Sequence, residues 1–130
     1  MGNVMTNAGR AIQTNLVSGL GGIAPKWLAI GSGSTTAAVT DTALTTEYTT
    51  GTWTGYARFV TTPTRTTTSV TNDTITWSGS WTAGAAQTVA EAGNFDQLAV
   101  GGNMLIHGNF TGVALNSGDS ITINITNQYN

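Results

Sequence analysis

Cysteine is absent, proline occurs twice, and charged residues make up only 8% of the 130-residue chain. Without cysteine there is neither a disulfide framework nor a thiolate zinc site. Ordinary globular domains devote about a quarter of their residues to charge. Here four basic residues (Arg10, Lys26, Arg58, Arg65) stand against six carboxylates, for a net charge of −2. Four scattered cations cannot form the basic stripe that a nucleic-acid partner requires. No apolar run approaches the ~18 residues of a membrane-spanning helix. The opening MGNVMTNAGR lacks the basic and then apolar regions of a secretory signal, so none is expected. Disordered chains combine low hydrophobicity with high net charge, and four tryptophans at this charge argue against that class.

Neutral polarity takes the place of charge. Threonine (26), asparagine (11), serine (8) and glutamine (4) supply 49 of the 130 residues, so the surface must consist of hydroxyls and amides. The length suits one domain with a single core. We expect it to span residues 1–130, with a helical segment at 1–22 and a β body at 23–130.

Residues 3–20 carry the one helical pattern. Met5, Ala8, Ile12 and Leu16 recur at spacings of three and four, with Asn3 or Thr6 as N-cap and Gly19, Gly21 and Gly22 ending the run. With almost no ion pairs to support it, such a helix must dock, on its own sheet or on a neighbouring subunit. Residues 26–30 read as a short strand. Gly31-Ser32-Gly33-Ser34-Thr35-Thr36 then opens a loop to about residue 46, with Leu44 as its inward anchor and room for one helical turn.

From residue 54 the pattern is β. An alternating run extends from Tyr56 through Thr62 and on to Val70, bent or at an edge at Pro63. The turn Thr71-Asn72-Asp73-Thr74 leads to Ile75, Trp77, Gly79 and Trp81 at period two. A short strand at 88–92 follows, then a hairpin joining 97–100 to 104–110 across Gly101-Gly102-Asn103. After a turn at 115–119, residues 120–129 place Ile121, Ile123 and Ile125 on one face. Six or seven such strands predict a mostly β chain, an antiparallel β-sandwich or jelly-roll-like domain with one N-terminal α-helix.

Residues suited to catalysis are few. His107 is the only histidine and stands in no recognisable triad order, so a structural or surface role is expected. Glu91 and Asp96 are the one carboxylate pair worth weighing for glycosidase chemistry. Asp73 and Asp119 sit in turns, where Asp bonds the backbone. The glycine-rich loop after the first strand suggests a phosphate site, but it lacks the P-loop lysine and the third glycine of a dinucleotide fingerprint. Asn72, Asn109 and Asn124 begin glycosylation-type triplets, as expected by chance in this composition. No enzyme, metal or cofactor is expected. Trp53, Tyr56, Trp77 and Trp81 are core residues or, alternatively, a carbohydrate platform.

The order of short motifs resembles a family of small structural proteins of tailed phages. The motifs are Val4-Met5-Thr6-Asn7 with Thr14-Asn15, the Pro25 to Gly33 run PKWLAIGSG, Asp41-Thr42-Ala43-Leu44 with Glu47, and Thr71-Asn72-Asp73-Thr74. They continue with Glu91-Ala92-Gly93-Asn94-Phe95-Asp96, Gly102-Asn103-Met104 with Phe110, and Leu115-Asn116-Ser117-Gly118-Asp119-Ser120-Ile121. Asn94-Phe95-Asp96 departs slightly from the pattern, since relatives carry Leu before the Asp. The resemblance implies a virion protein that decorates or cements the capsid exterior by binding the major capsid protein and neighbouring copies. The alternative is a tail-fibre, baseplate or receptor-binding module. It implies no catalytic residues. Free β proteins guard their strand edges with charge, yet residues 54–81 and 120–129 hold only two Arg and one Asp. A homo-oligomer is therefore expected, without nucleic acid or membrane. Met5, Ile12 and Leu16 on the helix and Trp53 and Tyr56 at the aromatic hairpin are the expected protein interface.

Overall fold

The computed structural model describes residues 2–130, and its elements in chain order are β1 (Gly2–Met5), α1 (Asn7–Ser18), β2 (Trp27–Gly31), β3 (Phe59–Val60), β4 (Thr64–Thr66), β5 (Thr74–Thr82), β6 (Gln87–Phe95), β7 (Met104–Leu115) and β8 (Ser120–Gln128). The two cleanest alternating segments pair with each other. β5 lies antiparallel to β8 over nine residues, setting Trp77 beside Ile125 and Trp81 beside Ile121. With β4 they form a three-stranded sheet in the order β4-β5-β8. A second sheet, β1-β7-β6-β2-β3, packs against it as a β-sandwich, the predicted class. Between them Leu28, Ile30, Trp77, Trp81, Val89, Ala92, Leu105 and Ile125 are buried.

Three expectations change. The helix begins at Asn7, because the Thr6 hydroxyl accepts the Gly9 N–H at 2.9 Å and caps it there. The preceding residues pair instead with β7, Asn3 opposite Gly108 and Met5 opposite Ile106. The long run from residue 56 to 70 is two short strands, β3 and β4, on either side of Pro63, which has no N–H for a ladder. Residues 97–100 form no strand. β6 reaches Phe95 and pairs with β7 from Met104, leaving 96–103 as the hairpin loop.

β6 and β2 are central, and their far face is also covered. Ala29, Phe95 and Met104 pack there with Leu44, so Leu44 is the expected anchor, although its loop contains no helical turn. A register irregularity between Val89 and Glu91 leaves Val89 in the inter-sheet core while Glu91 faces the covering loop. The helix docks on its own sheet. A Cβ on Gly9 would lie 2.3 Å from the Leu105 carbonyl oxygen, so only glycine permits that approach.

Candidate functional site

Three of the ten charged side chains, Arg58, Asp73 and Glu91, are buried. Glu91 is fully buried on β6, and four donors converge on its carboxylate. Oε1 accepts the backbone N–H groups of Gly33 (3.1 Å) and Thr46 (2.7 Å). Oε2 accepts that of Thr45 (2.9 Å) and meets His107 Nε2 at 3.0 Å. The other ring nitrogen, Nδ1, meets Asp41 Oδ2 at 2.7 Å. Burial alone would lower the His107 pKa, but hydrogen bonds to the two carboxylates outweigh it and raise the value. Asp41 is held below the usual carboxylate range by the Ala38 backbone N–H and by His107. Burial pushes Glu91 up, yet His107 and the Thr46 and Thr45 amides bring it down on balance.

This arrangement has a structural consequence. Both imidazole nitrogens are committed to carboxylates and only 1% of the residue is exposed, so the ring holds two pieces of chain together. Those pieces are the sheet, through β6 and β7, and the strap that follows β2. The glycine-rich loop meets an anion through the Gly33 N–H, and that anion is the protein's own Glu91. A Cβ on Gly33 would lie 2.5 Å from Glu91 Oε1, which explains the glycine. The pair weighed at the sequence level is not formed as a catalytic site. Glu91 serves this network, while Asp96 bonds Asn103 across the hairpin loop at 2.8 and 2.9 Å.

A second network centres on Arg58. Its Nε and Nη2 donate to the Glu47 carboxylate at 2.8 and 2.9 Å, a bidentate pair. Nη1 donates to the carbonyls of Gln97 (3.0 Å) and Gly101 (2.9 Å), and the guanidinium lies 3.8 Å from the Phe95 ring centroid. One buried cation thereby fixes the strap and the 96–103 loop at once. Among the described residues, no group of three or more His, Cys, Asp or Glu is arranged to hold a metal ion.

The expected interface residues separate. Trp53 and Tyr56 are buried in the core, Trp53 donating its indole N–H to the Thr82 carbonyl at 3.2 Å and Tyr56 accepting the Ile30 N–H at 3.2 Å. Ile12 is buried beneath the helix. None of these three faces outward as the free chain stands, because sandwich and helix packing claims them first. Met5 is a half-buried strand residue, and Leu16 is exposed. Trp77 and Trp81 are also buried, their indoles bonded to the Pro25 and Ala57 carbonyls, so the aromatic cluster is core and not a sugar platform. His107, Asp41 and Glu91 act together in a way that sequence reading missed. The available signal was a carboxylate inside the apolar run Val89-Ala90-Glu91-Ala92, since charge at a central strand position requires a partner.

Apart from the exposed Arg10, Lys26, Arg65 and Asp119, the surface left for contact is mostly apolar or neutral. Val17, Leu20 and Ile23 are exposed beside Leu16 at the end of the helix. On another side a cleft of about 490 Å³ is lined by Asn3, Phe110, Val113, Ile121 and Ile123 among others. β8 borders it with no strand on its outer edge.

Residues 23–128 match a family model described as "Podophage GP4 fiber I protein gp80". The chain belongs to this family. The expectation of a phage structural protein is met at that level, and within it the fibre alternative is favoured over capsid decoration. No curated protein and no solved structure matches the chain. The fibre-family match begins after the N-terminal helix and takes in β2 through β8, including Glu91, His107, Arg58 and the strap.

Proposed function

We propose that this protein is a structural component of the tail fibre of a phage virion, joined to its neighbours through neutral strand edges and apolar patches. The observation that carries this reading is the family match over residues 23–128. Its chemistry is compatible. The titratable groups weighed for catalysis, His107 and Glu91, bond each other in the interior, which supports a role in assembly. The partners are other fibre or tail proteins and further copies of this chain, in place of the major capsid protein. A receptor-reading role through Trp53, Tyr56, Trp77 and Trp81 loses its basis, since all four are core.

The test is quantitative mass spectrometry of virions separated into heads and tails. The protein is expected in the tail fraction, in a fixed ratio to the other fibre components. Recovery with heads, at a copy number scaling with the major capsid protein, would overturn the proposal and restore the shell reading.

A further inference from the structure

β8 is paired with β5 over its full length and, among the described residues, unpaired on its other side. Natural edge strands are protected by charge, proline, bulges or brevity. β8 has none of these. Its nine residues, SITINITNQ, hold no charge and no proline, and its register with β5 is continuous. The neighbouring strand of the other sheet is open as well. Among the described residues β1 covers β7 only from Ile106 to Asn109, and residues 111–115 have no strand partner on that side. The cleft walled by Phe110, Val113, Ile121 and Ile123 is lined from these same stretches. An extended strand, apolar on one face and neutral polar on the other, would match this edge and cleft.

β8 meets that description and is symmetric. The segment Thr122-Ile123-Asn124-Ile125-Thr126 reads the same in both directions. An antiparallel pair reverses one strand against the other, so a palindromic strand can oppose itself with every residue facing its own kind. We propose that two copies of this chain pair through the free edges of β8, antiparallel about a two-fold axis at Asn124. Ile123 then opposes Ile125 of the second copy on the inner face, extending apolar burial from the cleft across the axis. Thr122 opposes Thr126 on the outer face, where hydroxyl contacts already run between β5 and β8 (Thr76 to Thr126 at 3.2 Å, Thr82 to Ser120 at 2.8 Å). Asn124 opposes Asn124, and two amides can bond each other as donor and acceptor. A slip by two residues toward the C-terminal end sets Ile123 against Asn127 and loses this matching.

The 130-residue chain has no cysteine, so a single introduced thiol reports register directly. Residues directly opposite in an antiparallel pair have Cβ atoms about 5 Å apart, within disulfide reach. Under mild oxidation Asn124→Cys is expected to form a covalent dimer. Thr122→Cys alone is not, because its own copy lies four residues along the opposing strand, roughly 14 Å away. Thr122→Cys mixed with Thr126→Cys is expected to cross-link. In sedimentation equilibrium the unmodified chain is expected at twice its 13.4 kDa mass. Asn124→Lys, at an exposed position, sets like charges face to face and shifts the mass to one chain with the far-UV spectrum unchanged. A monomer at every soluble concentration, a trimer, or cross-linking at 122 as readily as at 124 would overturn the proposal and leave the edge to a different chain.

Discussion

His107 lies between Asp41 and Glu91, and that placement makes a demand on pH. Its pKa is raised on folding, so its contribution is fully present below its ordinary value of about 6.5 and is lost as pH rises through the folded value. The pKa values of Asp41 and Glu91 are lowered, so their contributions are present above about 4 and are lost as pH falls through their folded values. Asp73, capped by the Val70, Thr68 and Ser69 amides, acts in the same direction as these carboxylates. Thermal unfolding followed from pH 3 to 9 should therefore show greatest stability at about pH 4.5–6.5. His107→Gln should flatten the alkaline limb and cost about 3–5 kcal/mol near pH 6, because Glu91 remains buried without its cationic partner. An unchanged alkaline limb in that variant would show that His107 is not charged in the fold. Arg58→Lys should also be costly despite keeping its charge. An ammonium cannot bond Glu47 bidentately while reaching the Gln97 and Gly101 carbonyls. Chemical denaturation should place it closer to Arg58→Ala than to the unmodified chain.

β5 and β8 were legible from sequence because each has one face in the core and one in solvent, which writes period two into the chain. β6 was legible only in part. It is buried on both faces and carries register irregularities, so Glu91-Ala92-Gly93-Asn94-Phe95 shows no alternation. β1 was concealed within the helical pattern, because Met5 falls at helical spacing from Ala8 and Ile12 although it pairs with Ile106. The strap from residue 32 to 58 depends on tertiary bonds that no local pattern records. These are Glu91 to Gly33, Thr45 and Thr46, Asn109 Oδ1 to the Ala37 N–H at 3.1 Å, and the Tyr48 hydroxyl to the Thr88 carbonyl at 2.5 Å. Leu44 is its apolar anchor. Leu44→Ala should cost about 2–5 kcal/mol. Hydrogen exchange should then show faster opening at the Thr45 and Thr46 amides while the β5–β8 ladder stays protected. Equal acceleration of both would mean that strap and sandwich open as one unit.

For the whole molecule, low charge has two consequences. Arg58, Glu47, His107, Glu91 and Asp41 are engaged in bonds within the fold, which leaves threonine and asparagine as the main surface groups. The free edge of β8 is left without an electrostatic guard, whereas the opposite edge of its sheet, β4, carries the exposed Arg65. Such a surface fits permanent assembly, where backbone bonds and apolar contacts between chains cover what a free domain would protect. The short motifs, through their resemblance to small structural proteins of tailed phages, reached a phage structural protein. They did not separate shell from tail, because either location asks the same of a neutral β-sandwich. The fibre-family match across β2 to β8 favours the tail over the shell. The most direct test of a fibre role is cryo-electron microscopy of intact virions labelled with gold-conjugated antibody against this protein. Label confined to the tail and its fibres is the predicted result, and label spread over the capsid shell would contradict it.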